Sequence, residues 1–384
     1  MESTLLVLLL ILSVGLIVPE LFRKLRLPFI TSLILVGAAL GPNGVDIVQT
    51  NETVAFFSFL GLTFLMFMSG LETRVEHIKQ SISKVFILAT INGGVPALVG
   101  FAIARGFGYD MMASLMVAII FISSSIAIII PSLKEAKLFR KDDGQLIVSA
   151  VVLEDVMSLM LLGILLQSVD PITDLPLPIY FVVLILSVVA LKVILPKLNK
   201  LIFTKGVFKH KEHEDQLRFV IVVLMAVLLY FSAIGVHPIV AAFLLGLVLS
   251  GTVSSKKIFT QLHTIGYGLF VPVFFFMIGT QIDLTVFAGT GNSLTFLFTI
   301  LLVSVLTKFA SGYVAGRLVN ISKEHSAMFG VASSIQLTTS LAATQAAFSL
   351  GIIDTPLLTS MVVLSIVTTV FAPIVLRLLG HNAV

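Results

Sequence analysis

Residues 149–159 read Ser-Ala-Val-Val-Leu-Glu-Asp-Val-Met-Ser-Leu, which places Glu154 and Asp155 side by side within an apolar segment. A charge at the centre of a membrane-spanning helix costs on the order of 2.5 to 3.5 kcal/mol on insertion scales. Neighbouring residues of a helix also point about 100° apart, so these two carboxylates cannot both face the same neighbouring helix. The pair therefore needs a polar cavity or separate partners at membrane depth.

The composition of the whole chain indicates a membrane protein. Of its 384 residues 58% are hydrophobic and only 11% are charged, and the mean hydropathy is +1.12. Soluble domains have about 25% charged residues, so an ordinary water-soluble enzyme is excluded. The net charge of +4 is explained by basic loops that determine topology and not by nucleic-acid binding. Without cysteine there are no disulfides, thiolate metal sites or cysteine nucleophiles.

Thirteen apolar runs divide the chain into candidate membrane spans of roughly 20 residues. They centre near residues 13, 35, 62, 95, 121, 157, 188, 224, 244, 271, 306, 337 and 367, and the second and ninth runs are short. With thirteen spans and the N-terminus outside, every Lys and Arg falls on the cytoplasmic side except Arg105, Lys192 and Lys308, as the positive-inside rule requires. We therefore predict an all-α, multi-pass protein of the cell membrane with 13 transmembrane helices and a cytoplasmic C-terminus.

A charged stretch near the middle of the chain, from Lys197 to Arg218, predicts a linker between two halves. In this interpretation residues 1–205 contain a first six-span repeat and a linking seventh span. Residues 206–384 contain a second six-span repeat, and there is no separate soluble domain.

Three charged residues remain at membrane depth: Glu154, Asp155 and Lys308. A buried carboxylate readily binds a proton, and an ionised one is a hard oxygen ligand for a small cation. One aspartate can hold either a proton or a cation but not both, which is what cation/proton exchange requires. A structural ion pair with Lys308 is the alternative for one acid, although two acids facing one base leave a carboxylate uncompensated. If the two halves are related repeats, we also expect Lys308 and the acidic pair to occupy equivalent places in the two halves.

Polar tracts interrupt the fifth and twelfth spans. Ser123, Ser124 and Ser125 are consecutive in the fifth, and residues 333–340 of the twelfth read Ser-Ser-Ile-Gln-Leu-Thr-Thr-Ser. Small hydroxyl residues often lie at ordinary helix interfaces, but matching interruptions in two halves indicate broken helices at a transport site. Unwound backbone at membrane depth is tolerated only where it lines a cavity. The candidate lining residues are Ser123, Gln336, Thr338 and Thr339.

Taken together, six segments resemble the monovalent cation:proton antiporter-2 family in its short form, without a C-terminal regulatory domain. They are residues 59–72 (Phe-Leu-Gly-Leu-Thr-Phe-Leu-Met-Phe-Met-Ser-Gly-Leu-Glu), 123–127, the acidic pair, 217–219, 235–249 and 272–279. The resemblance implies the sodium/proton antiporter fold, with a six-plus-six inverted repeat and two crossing broken helices. It also implies a homodimer in which an ion-binding core domain moves like an elevator against an interleaved dimerisation domain.

The resemblance implies roles for the matching residues. Asp155 matches the aspartate that alternates between a proton and the cation, which makes it the Na+ ligand, and Ser124 and Ser125 match the polar tract of the first broken helix. Lys308 matches the lysine that neutralises the position before the aspartate. Glu154 departs from the family, where Asp, Asn or Gln is more common. If both acids exchange protons, transport is electrogenic; if Glu154 stays paired with Lys308, it is electroneutral.

The predicted function is secondary antiport of Na+, with Li+ or K+ as alternative cations, against H+. No glycine-rich phosphate loop, zinc-spaced histidine cluster or nucleophile elbow occurs in the sequence, so we expect no enzyme, no catalytic residue and no cofactor. The expected partners are the cation, protons, the lipid bilayer and a second copy of the chain, with no nucleic acid. The alternatives are a K+/H+ antiporter of the same fold, a sodium-coupled symporter for an organic solute and a channel.

Overall fold

The apolar runs of the sequence are helical in the computed structural model of the chain, which describes residues 2–23, 28–49, 51–73, 81–139, 141–169, 177–204, 213–250, 256–287 and 291–382. Backbone groups in lipid must be hydrogen-bonded within their own segment, and for a single apolar run this means a helix. No strand occurs within these ranges. The predicted all-α fold class is therefore confirmed.

The helices are numbered in chain order. The first eight are α1 Glu2–Arg23, α2 Phe29–Leu40, α3 Glu52–Glu72, α4 Ile82–Gly106, α5 Met111–Ile122, α6 Ile126–Glu135, α7 Asp142–Val169 and α8 Leu177–Thr204. The others are α9 His213–Ala233, α10 Pro238–Leu249, α11 Lys256–Ile265, α12 Val271–Thr280, α13 Gly291–Leu318, α14 Lys323–Ser333, α15 Thr338–Ser349 and α16 Thr355–Asn382. A π-helical turn, Gly266–Phe270, joins α11 to α12.

These helices account for the thirteen predicted spans. Nine segments of the described chain are long and apolar enough to cross a membrane, and one of them contains both α5 and α6. Three shorter apolar helices, in α1, α2 and α10, add three more. The remaining span, the twelfth, consists of α14 and α15, which are separated by a non-helical segment. Each predicted centre lies within its own span, and the second and ninth are short as expected.

Contacts divide the chain into two compact units. The first comprises Met1–Ser58, Val75–Leu165 and Pro272–Val384, and the second comprises Phe59–Arg74 and Leu166–Val271. Both units are discontinuous in sequence, so neither coincides with a predicted half of the chain. The predicted boundary at residue 205 lies outside the described residues, and α8 and α9 extend into the charged stretch around it. The six-plus-six repeat stays a prediction.

In the first unit, α2 crosses α12 at a pair of glycines. A Cβ atom on Gly37 would collide with the carbonyl oxygen of Phe276, and one on Gly279 would collide with that of Ile34. Only glycine allows backbones to approach this closely, as is usual where membrane helices cross. The crossing therefore depends on two residues with no side chain.

The second unit repeats this arrangement where α3 crosses α10. A Cβ atom on Gly70 would collide with the carbonyl oxygen of Phe243, and one on Gly246 with that of Phe67. In both units the clashing carbonyl lies three residues before the partner glycine. An offset of seven spans relates the two crossings, because it matches the second span with the ninth and the third with the tenth.

The same offset bears on one expectation about Lys308. It matches the eleventh span, α13, with the fourth, α4, and not with the sixth, α7. The contacts agree, because α4 packs against α5 as α13 packs against α14, and α4 and α13 also pack against each other. Under this offset the sixth span matches the thirteenth, so Lys308 and the acidic pair would not occupy equivalent places; the repeat itself stays a prediction.

Candidate functional site

Two interrupted helices meet within the first unit. Residues 123–125 separate α5 from α6, and residues 334–337 separate α14 from α15. The backbone N–H of Ser125 donates to the carbonyl of Ile335 at 2.7 Å, which joins the two interruptions directly. The predicted broken helices are therefore present, and they are in contact.

The serine tract explains the first interruption. Serine hydroxyls offer the backbone hydrogen bonds that compete with a regular helix. The Ser123 hydroxyl lies 3.3 Å from the Ile120 carbonyl, one turn back, and 2.6 Å from the hydroxyl of Ser340 on α15. A helix also ends with carbonyls that have no intrahelical partner, and the end of α5 therefore presents such groups beside the interruption.

Lys308 on α13 forms a buried ion pair with Glu154 on α7. The lysine Nζ lies 3.0 Å from Glu154 Oε2, and both side chains are 0% exposed. The same ammonium group donates to the Ile122 carbonyl at 2.7 Å, at the end of α5, and to Ser124 Oγ at 3.1 Å. All three of its hydrogens thus have an acceptor. Such complete hydrogen bonding is what makes a buried ion pair tolerable.

Glu154 has partners on both of its oxygens. Its Oε2 lies 2.8 Å from the Ser124 hydroxyl, which also has the Ser333 carbonyl within 2.8 Å as a second acceptor for its single hydrogen. Its Oε1 accepts from the side-chain amide of Asn92 at 2.8 Å. Asn92 lies on α4 and was not among the predicted site residues. An amide in the middle of an apolar span was a signal for it, but the sequence does not reveal its partner.

Asp155 is as buried as Glu154 but has none of its hydrogen bonds. It is 0% exposed, and neither of its carboxylate oxygens forms a hydrogen bond with any described residue. The backbone of Ser124 and the side chain of Thr339 lie near its carboxylate, but neither forms a hydrogen bond with it. A buried carboxylate without a partner is costly unless it binds a proton or a cation.

Other buried oxygens near the two interruptions are also without hydrogen-bond partners in the described chain. They are Ser125 Oγ, Thr339 Oγ1 and Gln336 Oε1. The amide nitrogen of Gln336 lies 3.4 Å from the hydroxyl of Ser304 on α13. Thr338, the first residue of α15, is 3% exposed. All predicted site residues are therefore buried in the first unit, but only some of them are hydrogen-bonded to Glu154 and Lys308, while Asp155 is left without a partner among the described residues.

The site has no multi-carboxylate metal cluster. Among the described residues, no group of three or more His, Cys, Asp or Glu side chains could hold a metal ion. The available oxygen atoms are one carboxylate, several hydroxyls and the backbone carbonyls of the interrupted helices. Such a donor set suits a weakly bound cation that enters and leaves, since carboxylates, carbonyls and hydroxyls are hard oxygen ligands.

A buried ion pair beside an open carboxylate, where two broken helices meet, defines the class of ion-coupled secondary transporters. The comparison with known families agrees with this class. The family described as sodium/hydrogen exchanger, transmembrane, matches residues 8–380. The chain belongs to this family, and the resemblance to cation:proton antiporters is confirmed.

Individual relatives cover almost the whole chain. The probable Na+/H+ antiporter 3 of Methanocaldococcus jannaschii is 31% identical over 381 residues, which are 98% of this chain and 97% of the relative. The Na+/H+ antiporter of Enterococcus hirae is 24% identical over 364 residues, or 92% of each protein. The Na+/H+-K+ antiporter GerN of Bacillus cereus is 25% identical over 367 residues, 93% of this chain and 91% of the relative.

A solved structure confirms the fold. The sodium proton antiporter MjNhaP1 of Methanocaldococcus jannaschii, determined at pH 8, superimposes with a TM-score of 0.70 at 17% identity. The match covers 99% of both chains. The predicted antiporter fold is therefore found over the full length of the described protein.

Proposed function

We propose that this protein is a secondary antiporter that exchanges a monovalent cation, first of all Na+, for H+, with the two ions competing for Asp155. The proposal rests on the open carboxylate of Asp155, which is fully buried and has no hydrogen-bond partner in the described chain. Neutralisation by a proton or by a cation removes the cost of burying this charge. Because a proton and a cation each neutralise Asp155 and only one of them can be bound at a time, each ion displaces the other.

The cation in this proposal is held by oxygen atoms that the fold leaves free. Asp155 supplies the negative charge, and the hydroxyls of Ser125 and Thr339, which also lack partners in the described chain, supply neutral ligands together with backbone carbonyls of the two interruptions. Unwound backbone can replace part of a dehydrated ion's shell because its carbonyls have no intrahelical partner. When the site takes up a proton, the same hydroxyls have no charge to compensate.

The stoichiometry follows from the other acid. Glu154 is balanced by Lys308 and accepts hydrogen bonds on both oxygens, so it has no need of a proton or a cation. With one exchanging carboxylate, one proton leaves as one monovalent cation binds. We propose that exchange is electroneutral for this reason.

A K+/H+ antiporter is the second candidate. The relationship to GerN favours it, because that relative is described as a Na+/H+-K+ antiporter. The mechanism at Asp155 is the same, and the difference lies in how far apart the ligand oxygens are held. Fluorescence dequenching in inverted vesicles, with Na+, Li+ and K+ compared at each pH, separates the two candidates.

The predicted surroundings complete the proposal. The protein would be a homodimer in the cell membrane, with its N-terminus outside and its core moving like an elevator. Substrate cation and protons would be its only small partners.

The experiment that tests the proposal is Asp155→Asn in proteoliposomes. The variant keeps the shape of the side chain but cannot ionise, so we expect cation-dependent proton movement to be lost while the protein still folds. Asp46→Asn is the matched control, because Asp46 is exposed and has a positive φ of 56° that asparagine also adopts. Retained cation-dependent proton movement in Asp155→Asn would refute the proposed role of Asp155.

A further inference from the structure

Asn92 joins the helices that surround Glu154. It is 0% exposed on α4, and its Nδ2 donates to Glu154 Oε1 on α7 at 2.8 Å. Its Oδ1 lies 3.0 Å from the hydroxyl of Ser311 on α13 and 3.3 Å from that of Ser333, the last residue of α14. One amide thus contacts three other helices, and one of them ends at an interruption of the site.

The orientation of this amide is dictated by the charge of Glu154. An ionised carboxylate only accepts hydrogen bonds, so the NH2 group must face it and Oδ1 must face the two serines. Each serine hydroxyl has a single hydrogen, and each also has a helix carbonyl within reach: Thr307 at 2.6 Å from Ser311, and Gly330 at 3.1 Å from Ser333. Glu154 on one side and the two serines on the other thus fix the orientation of the amide.

The backbone leaves room for this amide. A Cβ atom on Gly312 of α13 would come within 3.0 Å of Asn92 Oδ1 and within 2.7 Å of the Gly330 Cα. Gly312 therefore leaves the space that the Asn92 amide occupies.

We propose that Asn92 is a positioning residue that holds the Glu154 carboxylate against Lys308, so that Asp155 alone is left to exchange ions. By occupying Glu154 Oε1 it leaves Oε2 to Lys308 and Ser124. Without Asn92, Glu154 Oε1 would be a buried oxygen without a donor, and the carboxylate would no longer be fixed against Lys308. This inference rests on the proposed antiport, since it concerns which of the two acids takes part in it.

The first test is a double-mutant cycle with Asn92→Asp, Glu154→Gln and the two changes together. Asn92→Asp places two acids against one lysine, and Glu154→Gln leaves Lys308 without its carboxylate. The double variant restores one acid, one base and an amide–carboxylate hydrogen bond with its direction reversed. We expect each single change to lower both thermal stability and the rate of exchange. The rate of the double variant should be about fivefold or more above the product of the two single effects, and its loss of stability should be smaller than the sum of the two single losses.

The second test uses a readout that a purely structural role would not move. Asn92→Leu keeps the approximate volume but cannot donate to Glu154 Oε1, so the carboxylate beside Asp155 is no longer fixed against Lys308 and the KM for Na+ should change several-fold. Thr31→Val is the matched control: Thr31 is equally buried in the same unit, its hydroxyl has no partner in the described chain, and the KM for Na+ should stay as in wild type.

The outcomes separate this inference from the proposed function. The inference is overturned if Asn92→Leu keeps the wild-type KM for Na+, or if the double variant shows no rescue beyond the combined effects of the two single changes. The stability cycle does not depend on transport, so it can be completed even if wild-type proteoliposomes show no cation-dependent proton movement. That last result would refute the antiport itself.

Discussion

The two sides of α7 at its centre offer a comparison between identical chemical groups. Glu154 faces Lys308 and Asn92, and both of its oxygens accept hydrogen bonds. Asp155, the next residue, is just as buried but has no hydrogen-bond partner in the described chain. The same carboxylate group is thus fully paired on one side of the helix and without a partner in the described residues on the other. The two acids differ in their neighbours, and the rotation of about 100° between adjacent helical residues determines which neighbours each one meets.

The largest effect on stability is expected when the ion pair between Lys308 and Glu154 is broken. Lys308→Met leaves Glu154 buried without its counter-charge, which should cost roughly 3 to 5 kcal/mol of stability. Thermal unfolding in detergent measures it, and Lys192→Met, a change at an exposed lysine on α8, is the control. Replacing both partners, Lys308→Met with Glu154→Leu, should recover most of the loss, because an apolar pair of similar volume is often neutral. A Lys308→Met variant as stable as wild type would contradict the structural role of the pair.

A second variant strains the paired side without touching a charge. Gly312→Ala places a Cβ atom 2.7 Å from the Gly330 Cα and against the amide of Asn92. Such overpacking typically costs about 1 to 3 kcal/mol. Gly94→Ala is the control on α4, because a Cβ atom there meets nothing within 4 Å. If the two alanine variants unfold at the same temperature, the close contact between α13 and α14 is not as described.

Features of the site that arise from neighbouring residues could be predicted from the sequence, whereas contacts between residues far apart in the chain could not. The apolar runs and the polar tracts at 123–125 and 333–340 are local patterns, and they predicted the helices and both interruptions. The acidic pair and Lys308 stood out because charges are rare at membrane depth. The residue pattern alone left open which acid meets the lysine, since that depends on how α4, α13 and α14 are arranged around α7; only the family resemblance pointed to Glu154.

Asn92 and the crossing glycines show the same limit. A single amide in a span or a glycine in an apolar run has many structural explanations until its neighbour is known. Gly37 and Gly279 are more than two hundred residues apart in sequence, yet each requires the other.

Beside Asp155 we expect a smaller effect, which concerns cation binding and not stability. The hydroxyl of Thr339 has no partner in the described chain, so Thr339→Val should leave stability nearly unchanged. If the hydroxyl is a cation ligand, the KM for Na+ should rise several-fold while the maximal rate changes little, which proteoliposome assays over a range of Na+ concentrations would measure. Thr344→Val on the same helix, whose hydroxyl donates to the Ser340 carbonyl, should keep the wild-type KM. Equal KM values for the two variants would remove Thr339 from the proposed site.

The smallest effect is expected at His237, which lies outside the spans at the start of α10. Burial lowers the pKa of His237 from 6.5 to about 4, so its ring is neutral at the near-neutral pH at which exchange is assayed. Since the neutral form is favoured in the folded protein, stability is lost only as the pH falls below 6.5. His237→Asn retains an acceptor for the Ile239 N–H, and the pH profile of exchange should not shift. A shifted profile would mean that a titrating group outside the acidic pair controls exchange.

The most direct measurement of the central claim is proton release from the purified protein when Na+ is added, followed with a pH indicator at low buffer concentration. With Asp155 open and Glu154 paired, wild type should release about one proton per bound Na+, and Asp155→Asn should release none. Two protons per Na+ would mean that Glu154 exchanges as well. Undiminished release from Asp155→Asn would contradict the account altogether.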